Sequence, residues 1–202
     1  MKKQILLQEN LLKKINYFLL IVIFLLFFNP NPVYGKEKWI MDKELSRINF
    51  EIPVLFTKNV VGKFNEINGY VDIDIDNKTN NKAIFSVKID SIEMNYEKYR
   101  DLVLSEIFFN KNNFPIAVID TKKFTYENKK EILLEAELTI KGKSKEIPLI
   151  INVNKITEEL VQIKTELIFS RSEFNIGKGK WSNTTILKDN IKIISNLFLF
   201  KQ

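Results

Sequence analysis

The chain has 202 residues, a formal net charge of +6, 45% hydrophobic residues, and neither cysteine nor histidine. Absence of cysteine removes disulfides, thiolate metal sites and cysteine nucleophiles. Absence of histidine removes the commonest general base and the commonest transition-metal ligand, so the usual hydrolase and metalloenzyme constellations cannot be built.

The N-terminus reads as a leader. Lys2, Lys3, Lys13 and Lys14 make a basic region, residues 15–28 are an almost unbroken apolar run, and Val33-Tyr34-Gly35 puts small residues where a signal peptidase reads. That is the order of a secretory signal peptide over residues 1–35, with residues 36–202 as one domain. The apolar run falls short of the roughly 20 residues of a comfortable membrane span, and an uncleaved anchor would have to thin the bilayer. No cysteine follows it to carry a lipid. The leader holds four Lys and one acidic residue, Glu9, so the remainder carries 27 basic and 24 acidic groups. Such a mixed surface has no basic stripe interleaved with aromatics and gives no reason to invoke nucleic acid.

From Trp39 onward the chain is mostly written in period-two alternation, the strand signature. Ile48, Phe50 and Ile52 share one face before Pro53. Residues 60–64 lead into Ile67-Asn68-Gly69, whose Asn-Gly reads as a turn or bulge signal. Val71, Ile73 and Ile75 then alternate with Asp72, Asp74 and Asp76. This D-x-D-x-D lacks the glycine and the distal carboxylate of a calcium loop, since Asn77 and Ala83 stand there, and it reads as a solvated strand face. Phe85, Val87 and Ile89 form the next inner face.

Residues 95–109 break the alternation. Asn95 can cap a helix, Tyr99, Leu102 and Val103 fall on one helical face, and Ser105 can cap a second short turn carrying Ile107, Phe108 and Phe109. Phe114-Pro115 stops it. So apolar an insert in a β protein must bury its face against the sheet. Strands follow at 116–124, around Leu134–Ile140, at Ile147–Val153, at Val161–Phe169 and at about Ile191–Phe200, with a glycine-bearing loop at 171–180 ending at Trp181.

The total is about eight strands with short turns: an all-β, antiparallel barrel with one helical insert at about residues 95–109. A barrel of that size can be filled by side chains or can hold one small ligand. Alternation does not say which face is inside, and a small outer-membrane barrel would turn the apolar face outward. The mid-chain insert, which needs an apolar surface to pack on, favours the soluble form.

Five pieces in order resemble the YceI-like family of periplasmic, lipocalin-like polyisoprenoid-binding proteins. They are Trp39-x-x-Asp42-x-x-x-Ser46-x-Ile48-x-Phe50; Val61-Gly62-x-Phe64-x-x-Ile67-x-Gly69; Arg100-Asp101-x-x-Leu104 with Phe108-Phe109 and Phe114-Pro115; Leu138-Thr139-Ile140-x-Gly142; and Ser170-Arg171-x-x-Phe174-x-Ile176-Gly177. Ala136 and Asn175 stand where the family usually has glycine, which touches barrel packing and loop shape. The resemblance implies an eight-stranded lipocalin-like barrel with a long apolar cavity. Its ligand would be a long-chain isoprenoid, a quinone or another fatty amphiphile, with no cofactor and no metal, and a homodimer is open.

Sixteen phenylalanines is a heavy share, and four of them (Phe18, Phe24, Phe27 and Phe28) lie in the leader. Phe50, Phe64, Phe85, Phe108, Phe109, Phe169 and Trp181 are therefore expected to line a cavity, although the same residues could simply fill a core. Arg100, Asp101 and Arg171 are the polar groups expected at its mouth, against a structural role in ion pairs or in hydrogen bonds to loop carbonyls. The nucleophile-like pairs are Ser144 with Lys145 and Ser46 with Asp42, and neither has a base of the needed type at a defined spacing. A carrier is expected, not an enzyme.

Overall fold

Apolar side chains at every second strand position are buried only if a sheet stacks on another or closes on itself. Here the sheet closes. The computed structural model describes residues 35–202, and the segment read as a signal peptide lies outside the described residues. The strands are β1 (Lys36–Met41), β2 (Arg47–Ile52), β3 (Val60–Phe64), β4 (Ile67–Asp74), β5 (Lys82–Lys88), β6 (Ile92–Met94), β7 (Ile116–Asp120), β8 (Glu131–Ile140), β9 (Lys143–Lys155), β10 (Leu160–Ser170) and β11 (Asn190–Lys201). The order β1-β4-β5-β7-β8-β9-β10-β11 returns to β1, giving a closed antiparallel barrel with eight places in its wall. Strands β2, β3 and β6 continue β1, β4 and β5 past short breaks, pairing as β11–β2, β2–β3 and β3–β6. The sequence expectation of eight strands is thus met by eight wall positions, three of them broken in two.

One break shows how the wall bends without losing a bond. Asp42 accepts the N–H groups of Glu44 and Leu45, closing a side-chain turn between β1 and β2. Ser46 is buried, and its hydroxyl accepts the Phe198 N–H of β11 at 2.9 Å. Both members of one nucleophile-like pair are therefore spent on the backbone. Ser144 likewise pairs with the Thr139 hydroxyl at 2.7 Å, beside an exposed Lys145.

The open question of which face is inside has a clear answer. Phe50, Phe64, Leu138, Leu149, Phe169 and Leu197 are buried inside the barrel, while Glu131, Glu135 and Lys164 alternate outward. Chain direction puts the long connections at one end: residues 53–59, 95–115 and 171–189. The opposite end is closed by the turns at 75–81, 121–130 and 156–159.

Three local expectations need correction. Asn68-Gly69 is not a turn but lies inside β4, paired with Ser86 and Phe85 of β5. The glycine is there for space: a Cβ on Gly69 would lie 2.1 Å from Phe85 Cδ1. Asn95 does not cap a helix. Its side chain accepts the Val61 N–H and donates to the Asn59 carbonyl, tying the insert to the β2–β3 loop. The insert is also less helical than the spacing suggests. A 3-10 turn at Glu97–Tyr99 leads into a single-turn α1 (Arg100–Leu104), and residues 106–109 form a turn. Ser105 bonds back to the Leu102 carbonyl, while its own carbonyl accepts the N–H groups of Phe108 and Asn110. So short a helix is marginal by itself and is held by packing, with Leu104 and Phe108 buried.

The D-x-D-x-D stretch closes the β4–β5 turn. Asp74 accepts from the Asn77 N–H and the Asn80 amide, which hold its carboxyl below the usual carboxylate range. No group of carboxylates suited to a metal ion occurs among the described residues.

Gly69→Ala is expected to destabilise the fold by about 1–3 kcal/mol, the usual cost of overpacking. At roughly 2–4 °C per kcal/mol for a domain of this size, thermal unfolding followed by circular dichroism resolves it. An unchanged melting temperature would show that Phe85 is free to swing away.

A half-hollow barrel as the candidate functional site

The barrel is filled at one end and empty at the other. Trp39, Met41, Val71 and Leu199 are buried toward the end closed by the 75–81, 121–130 and 156–159 turns, and none of them borders the cavity. Ala136, opposite Ile147 in mid-strand, does not border the cavity, and its small side chain is 1% exposed. Under the long connections lies a cavity of about 510 Å³. That is within the range of roughly 300–1,000 Å³ typical of small-molecule sites.

Two strand pairings widen this space. Phe50 sits opposite Gly62, and Phe85 opposite Gly69. Each ring lies against the bare backbone of its partner: a Cβ on Gly62 would be 2.4 Å from Phe50 Cζ. With no side chain across from them, the rings lie along the wall, and the lumen stays open. Phe64 packs on Phe50 with ring centroids 5.7 Å apart. At the insert, Phe108 meets Trp181 edge-on at 5.8 Å.

All seven apolar residues expected from the sequence border the cavity: Phe50, Phe64, Phe85, Phe108, Phe109, Phe169 and Trp181. Of the polar three, only Arg171 does. Arg100 is turned to the backbone, donating to the carbonyls of Ile92 (3.1 Å) and Asp90, with Glu97 at 3.8 Å. It fastens α1 to the end of the broken β5–β6 strand. Asp101 is exposed on the first turn of α1. Sequence reasoning grouped the two with Arg171 because chain order carries no information on where a side chain points.

Arg171 is 1% exposed. Its Nε donates to the Lys188 carbonyl at 3.0 Å, Nη1 to Ile176 at 2.8 Å and Nη2 to Leu187 at 2.8 Å. None of the ion pairs among the described residues includes it. Burial pushes its pKa down, and the nearby Asp189 charge opposes that. One planar group therefore gathers both ends of the 171–189 loop over the cavity. The loop's backbone is shaped to match. Asn175 sits in the left-handed region at φ 55°, which asparagine tolerates better than most residues. Gly177 has φ 80°, and a Cβ there would be 2.6 Å from Arg171 Nη1. The Asn175 departure is thus absorbed by the backbone, while Gly177 has no substitute.

The sequence reading missed several lining residues. Val54, Tyr96, Ile176, Ile186 and Leu187 border the cavity from loops, where no alternation marks an inward side. For Tyr96 and Ile176 the one signal was their place beside or within the motif residues of the insert and of the 171–177 segment.

Fold and site together define a lipocalin-like barrel with an apolar lumen. The chain belongs to the YceI-like family, whose model matches residues 39–198. Among solved structures it is similar to Burkholderia cenocepacia BcnA, with a TM-score of 0.71, 22% identity, and coverage of 78% of this chain and 98% of that one. It is also similar to a polyisoprenoid binding domain from Saccharophagus degradans implicated in plant cell wall breakdown, with a TM-score of 0.66, 12% identity, and coverage of 81% and 98%. The Campylobacter jejuni YCEI protein matches with a TM-score of 0.63, 20% identity, and coverage of 74% and 89%. No protein of curated function matches by sequence.

Arg171→Ala is expected to cost at least about 2 kcal/mol, because it strands the two buried carbonyls of Ile176 and Leu187 at roughly 1–3 kcal/mol each. Urea unfolding measures it. A loss under about 1 kcal/mol would mean that the loop keeps its shape without the guanidinium.

Proposed function

We propose that this chain is a non-enzymatic periplasmic carrier that holds a long-chain isoprenoid, quinone or similar fatty amphiphile in the barrel lumen. The observation that carries the reading is the division of the barrel into a filled half and a hollow, apolar half. A core needs no such void, and packing attraction is lost around an empty one. A flexible apolar chain restores those contacts. Each CH₂ taken from water contributes about 0.8 kcal/mol, so an isoprene unit gains roughly 4 kcal/mol before its ordering costs.

Membership in the YceI-like family and the fold shared with a polyisoprenoid binding domain support this ligand class. The order of features in residues 1–35 supports export. Catalysis finds no support in the serines, whose hydroxyls are engaged at Ser46 and Ser144 by backbone and by Thr139. The outer-membrane alternative finds none in a wall whose apolar faces point inward.

The test is native mass spectrometry of the protein purified after export from a membrane-containing host, followed by denaturing extraction. A co-purified species of long-chain lipid mass is expected. Phe108→Ala or Phe85→Ala should deplete it, and Val87→Trp, which fills the lumen, should abolish it while leaving the β spectrum intact. An empty protein that gains no melting temperature from added isoprenoid quinones or fatty amides would refute the carrier reading.

A further inference from the structure

The cavity opens through three segments: residues 53–59, 95–99 and 178–189. Val54 and Thr57 border the cavity, and between them Phe56 is 97% exposed. An aromatic side chain gains nothing from such a position in a free monomer. The loop does not hide it either: Phe56 has φ 64°, costly for a bulky residue, while the loop is pinned by the Leu55 N–H to the Ile186 carbonyl at 2.8 Å and by the Val54–Leu187 bridge. Around it, Tyr99 and Ile186 are 43% and 57% exposed and also border the cavity. The apolar lining therefore runs out of the mouth and ends on a raised rim.

The charge of that rim is one-sided. The three segments carry Lys58, Lys98, Lys178, Lys180 and Lys188 against Glu97 and Asp189. Both acidic groups are engaged, Glu97 beside Arg100 at 3.8 Å and Asp189 with the Ser172 N–H and hydroxyl. None of the five lysines takes part in an ion pair among the described residues. The turns at the opposite end carry five lysines (Lys78, Lys122, Lys123, Lys129 and Lys130) against four acidic groups (Asp76, Glu127, Glu158 and Glu159), a net charge of +1 against +3 at the rim, and several of these charges are paired: Lys129 with Glu127, Lys122 with Glu137 and Glu158 with Lys155. Aromatic tips set among free lysines match the boundary of an anionic bilayer, where amphipathic rings sit at headgroup level and lysines meet anionic phosphates.

We propose that the cavity mouth docks on an anionic lipid surface, with Phe56 entering the headgroup boundary and the rim lysines facing anionic headgroups. Docking in this pose lays the lumen against the bilayer, so an apolar chain passes between them without crossing water. The surface does not depend on what the lumen holds, and the two are read separately.

The cysteine-free sequence allows single labelling of the full chain. An environment-sensitive fluorophore on Phe56→Cys is compared with one on Lys129→Cys at the far end, each mixed with phosphatidylglycerol–phosphatidylethanolamine vesicles. The expected result is a blue shift and quenching by brominated lipid at position 56 only, much weaker on phosphatidylcholine. Phe56→Ser should reduce the affinity for anionic vesicles about tenfold and leave the melting temperature of the protein unchanged. Equal responses of the two labels, or none at position 56, would overturn the proposal. A silent label would assign the rim instead to a protein partner or a second copy of the chain.

Discussion

A barrel with an empty lumen cannot draw its stability from a packed centre. Voids forfeit contacts on one side of every lining atom. Here the constraint is met by dividing the barrel along its length. The end closed by short turns is packed solid around Trp39, Met41 and Leu199, while the end under the long connections is left open. The closed ring of hydrogen bonds runs through both, so the filled half holds the register of the hollow one.

The hollow half depends on details that keep side chains out of the lumen. Gly62 and Gly69 face Phe50 and Phe85 across the sheet, and the rings occupy the space that a Cβ would take. Large apolar surface is thus presented to the cavity without crossing it. Arg171 solves the opposite problem at the rim. A long loop roofing an apolar space buries carbonyls, and one guanidinium with several donors in a plane satisfies those of Ile176 and Leu187 together with the Lys188 carbonyl at the edge. A lysine has no such fork. The same residue type that marks anion sites elsewhere is here a staple for backbone.

These choices fit binding better than chemistry. The nucleophile-like hydroxyls and carboxylate of the sequence close turns and bends: Ser46, Asp42 and Ser144 all have partners that fix the chain. The polar groups left without such duties stand at the mouth, where Lys98 lies over the Tyr99 ring at 5.0 Å and the Tyr96 hydroxyl meets Thr57 at 3.4 Å. The two ends of the barrel have different chemistry because the helical insert and the 171–189 loop both lie at one of them.

The strands were legible in the sequence because a side-chain period of two survives any context, and the aromatic positions fell on the right phase for the same reason. Phe50, Phe64, Phe85 and Phe169 border the cavity on that basis, while Phe108, Phe109 and Trp181 reach it from the insert and the 171–189 loop. The fate of Asn68-Gly69, Asn95 and Arg100 was not legible, since each is decided by a neighbour on another element: Phe85, Val61 and the carbonyls of Asp90 and Ile92. By itself the sequence determined an antiparallel β protein with an apolar inner face, a mid-chain insert and no histidine or cysteine chemistry. Only the tertiary structure decided that the inner face encloses a void, that Arg171 holds the roof, and that Phe56 stands in water. Those outcomes follow from register and loop packing, which bring together residues that no local pattern connects.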